Sequence, residues 1–354
     1  MDGVDRVTVE DLDLAGYERV ARCRDPATGL DAIIAVHSTA LGPALGGTRF
    51  HAYDDADEAL TDVLRLAKGM SYKAAIAGLE LGGGKAVILG DPASVRTDEL
   101  ILAYGRFVDS LCGAYLTAED VGTTQADMDL IRSVTPHVTG VSEALGGSGD
   151  PSPATARGVV HALLAAAQHR FGSDDLGGLH VAVSGVGKVG GALVEHLLEA
   201  GARVTVADVD DERAAEVAGG RDVAVAPAAS VHTVDCDVLS PCALGGVLNV
   251  ETIPALRCAI VCGSANNQLL EPADGDRLAA AGVLYVPDYV VNAGGIINIA
   301  EEVHGYDVRR AAERIAAIRT TTAEVLDLAE ATGTTPAEAA DRLAERRIAA
   351  GRNG

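Results

Sequence analysis

The feature that most constrains the fold is a glycine-rich turn within residues 180–208, HVAVSGVGKVGGALVEHLLEAGARVTVAD. Gly185, Gly187 and Gly190 form GxGxxG directly after an apolar stretch, and a second apolar stretch ends in Asp208. Such glycines permit a tight turn, close approach of a pyrophosphate to a helix N-terminus, and close helix–strand packing. The pattern predicts a β-α-β unit that binds a dinucleotide through Gly185, Val186, Gly187, Lys188, Val189 and Gly190.

Asp208 indicates which dinucleotide is bound. An acid at the end of the second strand can accept hydrogen bonds from the adenosine ribose hydroxyls, and its charge would repel a 2′-phosphate. We therefore expect NAD rather than NADP. The residues leave alternatives open: the turn binds no nucleotide, Asp208 is a solvated strand end, and Lys188 is solvated helix surface rather than a phosphate contact.

The pattern changes along the 354 residues at a Gly/Ser/Pro-rich stretch, 146–153. Beyond it, short apolar strands near 203–208, 236–243, 258–265 and 283–290 alternate with helices, which predicts a parallel doubly wound sheet. We expect an α/β protein of two domains with the active site in the cleft between them. The first is an N-terminal α/β substrate domain, 1–148, joined by C-terminal helices at about 310–354, and the second is a Rossmann-type domain, 149–309.

The N-terminal half carries an unusual lysine cluster. The chain has 24 arginines and four lysines, and Lys68, Lys73 and Lys85 share one 18-residue window. A buried lysine can lose its proton, whereas arginine cannot, so the cluster points to chemistry rather than to chance retention of surface lysines. Lys73 is predicted near the end of a helix at 57–75. Lys85 is predicted where a glycine loop meets a strand at 85–91.

Composition excludes several classes of function. A net charge of −23 and a pI near 4.6 argue against nucleic acid or an anionic membrane as a partner. The N-terminus is acidic where a signal peptide would be basic, and no apolar run is long enough to span a bilayer, so we expect a cytoplasmic protein. The six cysteines and nine histidines lack metal-ligand spacing, so we expect reduced thiols and no metal.

Seven motifs resemble the Glu/Leu/Phe/Val amino-acid dehydrogenase family, and within it most closely the members that act on leucine and valine. In order they are GPALGGTRF (42–50), KGMSYKAAIAGLELGGGKAVILGDP (68–92), TAEDVGTTQADMD (117–129), GDPSPATARGV (149–159), SPCALGG (240–246), GSANNQL (263–269) and PDYVVNAGG (287–295). The resemblance runs from about residue 17 to residue 348. It implies NAD-dependent, reversible oxidative deamination of an L-amino acid to a 2-oxo acid and ammonia.

The resemblance also implies roles for individual residues. Lys85 is the catalytic amine, Asp120 transfers a proton, and Lys73 binds the substrate carboxylate. Gly46, Gly47 and Asn267 contact the substrate, and Thr155, Ala265 and Asn292 lie near the nicotinamide. The residues alone leave two alternatives open: that Glu119 or Asp120 caps the next helix, and that Asn267 and Asn292 are buried amides that satisfy loop backbone.

Three apolar positions bear on the choice of substrate. By the same resemblance, Leu45 stands where glutamate dehydrogenases carry a lysine for the second carboxylate, so glutamate is disfavoured. Ala118 and Ile296 are larger than their counterparts in phenylalanine dehydrogenases, which favours branched aliphatic substrates. The alternatives are a phenylalanine dehydrogenase and a non-catalytic NAD-binding regulator. We also expect a homo-oligomer, because the family forms oligomers.

Overall fold

The computed structural model describes residues 7–352, which form two compact units. Residues 1–6 and 353–354, which include the two ends of the predicted substrate domain, lie outside the described residues. The first unit contains 7–149, 299–308 and 344–352, and the second contains 150–298 and 309–343.

The first unit is built on a mixed six-stranded sheet. Its strands are β1 (Thr8–Asp11), β2 (Arg19–Asp25), β3 (Leu30–Ser38), β4 (Ala44–His51), β5 (Gly82–Leu89) and β6 (Tyr115–Glu119). They lie in the order β1-β2-β3-β5-β4-β6. Strand β4 runs parallel to β5 and β6, and the remaining pairs are antiparallel.

Helices cover both faces of this sheet. They are α1 (Ala56–Ile76), α2 (Pro92–Val95), α3 (Asp98–Asp109) and α4 (Gln125–Arg132). Successive strand residues face opposite layers: Ile34 and Ile88 pack in the core that includes α3 and α4, whereas Ile33 and Val87 pack with α1. Lys85, two residues before Val87, therefore lies on the face that α1 covers.

The second unit is built on a parallel six-stranded sheet. Its strands are β7 (His180–Ser184), β8 (Arg203–Ala207), β9 (Val223–Val225), β10 (Val238–Pro241), β11 (Ile260–Val261) and β12 (Leu284–Tyr285). The order β12-β11-β10-β7-β8-β9, read from the other edge, is the Rossmann order. The structure thus confirms the predicted α/β fold with a Rossmann-like second half.

The remaining helices follow residue 150. They are α5 (Ser152–Phe171), α6 (Lys188–Glu199), α7 (Asp211–Ala218), α8 (Ala273–Ala280), α9 (Asp288–Val291), α10 (Gly294–Ala300), α11 (Val308–Ala316), α12 (Ile318–Thr332) and α13 (Pro336–Gly351). Short 3-10 helices lie at Glu143–Leu145, Ala228–Thr233, Ile253–Ala255 and Glu301–His304.

The predicted glycine loop before Lys85 is wrong, because Gly82, Gly83 and Gly84 are part of β5. Backbone atoms of neighbouring elements lie so close to these residues that no side chain larger than hydrogen would fit. A Cβ on Gly82 would lie 1.9 Å from the Ser38 carbonyl oxygen, and one on Gly83 would lie 2.0 Å from the Ser71 nitrogen of α1. The glycines therefore serve close packing on both sides of the strand rather than chain reversal.

The C-terminal helical stretch is divided between the units. The sequence predicts that about 310–354 joins the first domain, but 309–343 lies in the second unit. There Arg319 of α12 pairs with Asp174 at 2.5 Å. Ile318 of α12 also packs closely on α5, since a Cβ built on Gly158 would lie 2.9 Å from the Ile318 Cδ1 atom. From residue 344 onward α13 belongs to the first unit, where Glu345 accepts a hydrogen bond from Tyr72 at 2.7 Å.

Among residues 7–352, no helix has the length and apolar character needed to cross a membrane. Within the same range, no group of three His, Cys, Asp or Glu side chains is arranged to hold a metal ion. The six cysteines are unpaired thiols.

The close approach of α1 to β5 predicts a large difference between two glycine substitutions. Gly83→Ala would place a Cβ against the backbone of α1, so we expect the free energy of unfolding to fall by about 2–3 kcal/mol. Gly69→Ala lies on α1 with open space around it and is the matched control, expected to stabilise by about 0.5–1 kcal/mol. Urea unfolding of the full chain, followed by circular dichroism, compares the two. Equal stability of the two variants would contradict the packing argument.

Candidate active site

Lys85 is a buried amine on β5 in contact with an acid. Its side chain is 8% exposed, and its Nζ donates to Oδ2 of Asp120, which is 17% exposed. The strands bring the two together: β5 carries Lys85, and Asp120 directly follows β6 on the far side of β4. The structure therefore joins two residues that the sequence analysis assigned to catalysis.

Local backbone contacts hold Asp120 in place. Its second carboxylate oxygen, Oδ1, accepts a hydrogen bond from the Val121 nitrogen at 2.6 Å. The Thr123 hydroxyl accepts from the Asp120 nitrogen at 2.9 Å and donates to the Thr48 carbonyl oxygen at 2.8 Å. Helix α4 is capped by Thr124, so the alternative that Asp120 or Glu119 caps the next helix is wrong.

Gly47 of β4 makes room for this pair, and the neighbouring Gly46 lets β4 lie close against β5. A Cβ on Gly47 would lie 2.9 Å from Cβ of Asp120 and 2.8 Å from the Glu119 carbonyl oxygen. A Cβ on Gly46 would lie 1.8 Å from the Gly84 carbonyl oxygen. Only glycine leaves Asp120 enough space to reach Lys85 across β4.

The environment of Lys85 favours its neutral form. Burial and the positive charges of Arg49 and Lys73 lower the pKa of the Lys85 amine to about 7, against the opposing charge of Asp62. Desolvation disfavours any buried charge, and like charges add to that effect. An amine with this pKa exchanges a proton near neutral pH, as a general base requires.

Lys73 lies in the last turn of α1, as predicted. Helix α1 packs closely on β5 at Ser71 and Gly83, two residues from each lysine, so Lys73 acts electrostatically on Lys85. A second cation beside a neutral amine suits a substrate that carries a carboxylate.

Leu45 and Ala118 lie in the same part of the sheet. Leu45 is fully buried on β4, and Ala118 of β6 is paired with Gly47. Both therefore face the same side of the sheet as Lys85. Ile296 is buried on α10 in the second unit, where its assignment to the substrate stays a prediction.

The predicted dinucleotide turn has the local geometry of such a site. Gly185 follows β7 with a φ of 95°, and a Cβ on Gly190 would lie 1.9 Å from the Gly185 carbonyl oxygen. Gly187 is the N-cap of α6, where no side chain caps the first turn. Nothing lies within 4 Å of a Cβ built on Gly187. The first N–H groups of α6 thus fit a phosphate group.

Lys188 and Val189 begin α6 beside this turn. The Lys188 side chain is 80% exposed and pairs with Asp150 at 3.0 Å, which favours the solvated-surface alternative for Lys188. Val186 instead contributes its backbone, since its nitrogen donates to Asp208 Oδ2 at 2.8 Å.

Asp208 is a buried carboxylate at the end of β8. Burial opposes its charge, but hydrogen bonds from the nitrogens of Asp210 and Val186 and the charge of Arg213 keep its pKa below the usual value. The two bonds leave further lone pairs for ribose hydroxyls. Arg213 lies 3.5 Å from Asp208 and offsets part of the charge that would repel a 2′-phosphate.

Asn292 carries an unsatisfied acceptor. Its Nδ2 donates to the Ser264 carbonyl oxygen at 3.1 Å and to Asn266 Oδ1 at 2.8 Å. Its Oδ1 is buried with no hydrogen-bond partner in the described part of the chain. The amide satisfies loop backbone, as one alternative holds, yet an orphan oxygen also fits a ligand that donates a hydrogen bond.

The remaining predicted residues have varied settings. Asn267 is exposed with a φ of 52°, so the buried-amide alternative is wrong for it, and neighbouring Gln268 has that role. Ala265 is buried next to the same loop. Thr155 lies in the first turn of α5, and its hydroxyl donates to the Pro151 carbonyl oxygen at 3.0 Å.

Sequence reasoning missed Arg49, Asp62 and Arg213. All three are charged residues whose significance depends on their distance from Lys85 or Asp208. Their positions in the chain carry no signal that separates them from other surface ion pairs.

The fold and the site define a dehydrogenase with a Rossmann-like unit, and comparison with known families agrees. The family described as "Glu/Leu/Phe/Val dehydrogenase, dimerisation domain" matches residues 17–137. That described as "Glutamate/Leucine/Phenylalanine/Valine dehydrogenase" matches 146–215 and 209–352. The chain belongs to the Glu/Leu/Phe/Val dehydrogenase family, which confirms the resemblance seen in the sequence.

Several relatives are similar over most of their length. The chain is 52% identical to a valine dehydrogenase of Streptomyces albus over 96% of this chain and 94% of the relative. It is 51% identical to a leucine dehydrogenase of Geobacillus stearothermophilus, covering 94% and 90%. The crystal structure of L-tryptophan dehydrogenase from Nostoc punctiforme is 42% identical with a TM-score of 0.87, covering 96% and 97%.

The lowered pKa of Lys85 predicts how its amine reacts with pH. Only the neutral amine reacts with acetic anhydride, so the rate of acetylation at Lys85 should rise through a midpoint of about 7 and then level off. A free lysine derivative, added as an internal reference, should continue to gain reactivity towards a pKa of about 10.4. Peptide mass spectrometry after trace labelling measures both. A Lys85 rate that climbs in parallel with the reference would contradict the assignment.

Proposed function

We propose that the protein catalyses the reversible, NAD-dependent oxidative deamination of branched-chain L-amino acids to 2-oxo acids and ammonia. The observation that carries the proposal is the buried Lys85 amine, which contacts Asp120 and whose pKa is lowered to about 7 by burial and neighbouring positive charge. The sequence similarity to leucine and valine dehydrogenases supports the choice of substrate.

Lys85 and Asp120 perform the acid–base chemistry. NAD, when bound, would supply the acceptor for the hydride that leaves Cα with both bonding electrons. Neutral Lys85 then removes a proton from water as the water oxygen bonds to the iminium carbon. Lys85 passes this proton to Asp120, which gives it to the nitrogen of the resulting carbinolamine. The C–N bond then breaks as neutral Lys85 takes the hydroxyl proton and the C=O bond forms, and ammonia and the 2-oxo acid leave. A base with a pKa near neutrality suits both directions of this reaction.

Lys73 and the β4 glycines hold the substrate in this proposal. Lys73 provides a positive charge for the α-carboxylate, and Gly46 and Gly47 offer backbone groups. Leu45 and Ala118 offer only apolar surface to the side chain. The second carboxylate of glutamate would lose its hydration there without gaining a positively charged partner. The cost is on the order of several kcal/mol, so glutamate is disfavoured.

Gly185, Gly187 and Gly190 would hold NAD at the N-terminus of α6, with Asp208 at the adenosine ribose. Asn292, through its unpaired oxygen, would accept a hydrogen bond from the cofactor. We also propose a homo-oligomer, for which the matched dimerisation domain at residues 17–137 provides support.

An aromatic amino acid is the second candidate substrate. It is favoured by the similarity to an L-tryptophan dehydrogenase. The non-catalytic regulator is disfavoured, because a protein that only binds NAD has no use for an amine whose pKa is lowered next to a carboxylate.

A substrate panel tests the proposed activity. With NAD, the purified protein should produce NADH from L-valine, L-leucine or L-isoleucine, with kcat/KM at least about tenfold above that for L-phenylalanine, L-tryptophan and L-glutamate.

The kcat/KM should rise with pH through about 7 as Lys85 loses its proton. Lys85→Ala should lower kcat by about 10²–10⁴. No NADH from any branched-chain substrate would refute the proposal, and near-normal turnover by Lys85→Ala would refute the role of the amine.

Asp208 and Arg213 predict how the cofactor preference can be changed. Asp208→Ser removes the carboxylate that would repel a 2′-phosphate and leaves the Arg213 charge, which still pairs with Asp210 at 3.2 Å, to attract one. The ratio of kcat/KM for NAD over NADP should therefore fall by about tenfold or more. The double variant Asp208→Ser, Arg213→Gln is the matched control. It lacks the arginine charge as well, so its kcat/KM with NADP should increase little. A wild-type enzyme that already prefers NADP would contradict the role of Asp208.

A further inference from the structure

Arg49 and Asp62 form an ion pair between strand β4 and helix α1. Arg49 of β4 donates from its Nη1 to Oδ2 of Asp62 of α1 at 2.7 Å, and the two side chains are 25% and 16% exposed. The Tyr53 hydroxyl donates to the same oxygen at 2.9 Å, and Arg65 donates to the other at 3.1 Å. Burial favours the neutral acid, but Tyr53, Arg49 and Arg65 keep the pKa of Asp62 below its usual value. Both members of the pair are therefore charged at neutral pH.

The sheet register places this pair beside Lys85. Strand β4 runs parallel to β5, with Thr48 opposite Ala86 and Arg49 opposite Val87. Arg49 and Lys85 consequently lie on neighbouring strands and on the face that α1 covers, two residues apart along the strand direction.

Four charged groups from three elements face Lys85. Arg49 of β4 and Lys73 of α1 oppose its protonation, whereas Asp62 of α1 favours it. Asp120, directly after β6, contacts the amine itself. The Arg49 and Lys73 charges thus act on the amine against the charges of the two carboxylates, and Asp62 is itself shared with Arg65.

Stability alone gives little reason for an arginine here. The Nε of Arg49 is buried without a hydrogen-bond partner among the described residues, which costs roughly 1–3 kcal/mol. Its neighbour across the strands is Val87, in an apolar core that includes Val63 of α1. An apolar side chain would fit such surroundings, and replacement of a buried ion pair by apolar residues is often neutral or stabilising.

We propose that Arg49 and Asp62 are positioning residues for Lys85: Arg49 places a positive charge on the strand beside the amine, and Asp62 holds Arg49 there and offsets part of its charge. The inference rests on the proposed function for its purpose, because a neutral Lys85 is the base that deamination needs. The charge effect itself concerns only Lys85 and its neighbours, so it can be measured without substrate.

Trace acetylation of Lys85 in the full chain tests the inference directly. Arg49→Gln removes the positive charge, so the midpoint for Lys85 should move up by about one pH unit. Asp62→Asn removes the negative charge, so the midpoint should move down. Arg49→Lys keeps the charge and Tyr53→Phe removes only a hydrogen bond, so both should stay close to wild type.

A merely structural ion pair predicts a different pattern. Loosening the contact between β4 and α1 admits water to Lys85, so Arg49→Gln and Asp62→Asn would both move the midpoint upward. That result, or an unchanged midpoint in Arg49→Gln, overturns the proposal. Circular dichroism checks that each variant is folded. If Arg49→Gln does not fold, Asp62→Asn and Tyr53→Phe still test the proposal, because a charge effect lowers the Lys85 midpoint in Asp62→Asn relative to Tyr53→Phe and a structural effect raises it.

The pH dependence of kcat/KM separates this inference from the proposed function. If the protein is the proposed dehydrogenase, the rise of kcat/KM with pH should shift with the labelling midpoint in each variant. Labelling shifts of opposite sign without any dehydrogenase activity would uphold the charge effect and refute the function. Activity with no labelling shift would uphold the function and refute the role of Arg49 and Asp62.

Discussion

The first unit depends on the direct packing of backbone on backbone around a strand that begins with three glycines. A Cβ at Gly82, Gly83 or Gly46 would lie about 2 Å from a backbone atom of a neighbouring element, well inside any allowed contact. Because these side chains are absent, α1 and β4 lie close against β5. Lys85, the next residue of the strand, is consequently buried, and the groups that act on it are brought near.

Burial decides the chemistry of Lys85 because a charge in a medium of low dielectric is costly. Desolvation is the largest cause of the lowered pKa, and the charges of Arg49 and Lys73 act in the same direction. In the proposed mechanism, Asp120 has two effects, since it is a partner for the charged amine and would accept its proton. The same contact that stabilises the ammonium form is therefore the one through which a proton can be moved.

In the second unit, the candidate binding groups are backbone N–H groups rather than a buried charged side chain. The turn after β7 presents uncapped N–H groups at α6, and Asp208 both braces this turn and ends the neighbouring strand. In the proposed function, this carboxylate would connect the local fold with the selection of a cofactor. Arg213 lies 3.5 Å from Asp208, so the selection would depend on a balance between two charges rather than on the acid alone.

The sequence by itself determined the type of each half and the candidate residues in it. The helical period of α1 and the glycines of the dinucleotide turn are local signals, because neighbours in the chain form them. The retention of a few lysines in an arginine-rich chain singled out Lys73 and Lys85 by composition alone. The motifs around them placed the chain in its family.

Only the tertiary structure decided what depends on residues far apart in the chain. The glycines before Lys85 were expected to form a loop, since glycine disfavours strands locally, but close packing against α1 and β4 overrides that preference. Helix α12, within 309–343, lies in the second unit and packs on α5, where Ile318 lies against Gly158, and helix periodicity cannot reveal that choice of partner. The pKa of Lys85 and the roles of Arg49 and Asp62 likewise arise from distances across strands, and a chain pattern contains no such distances.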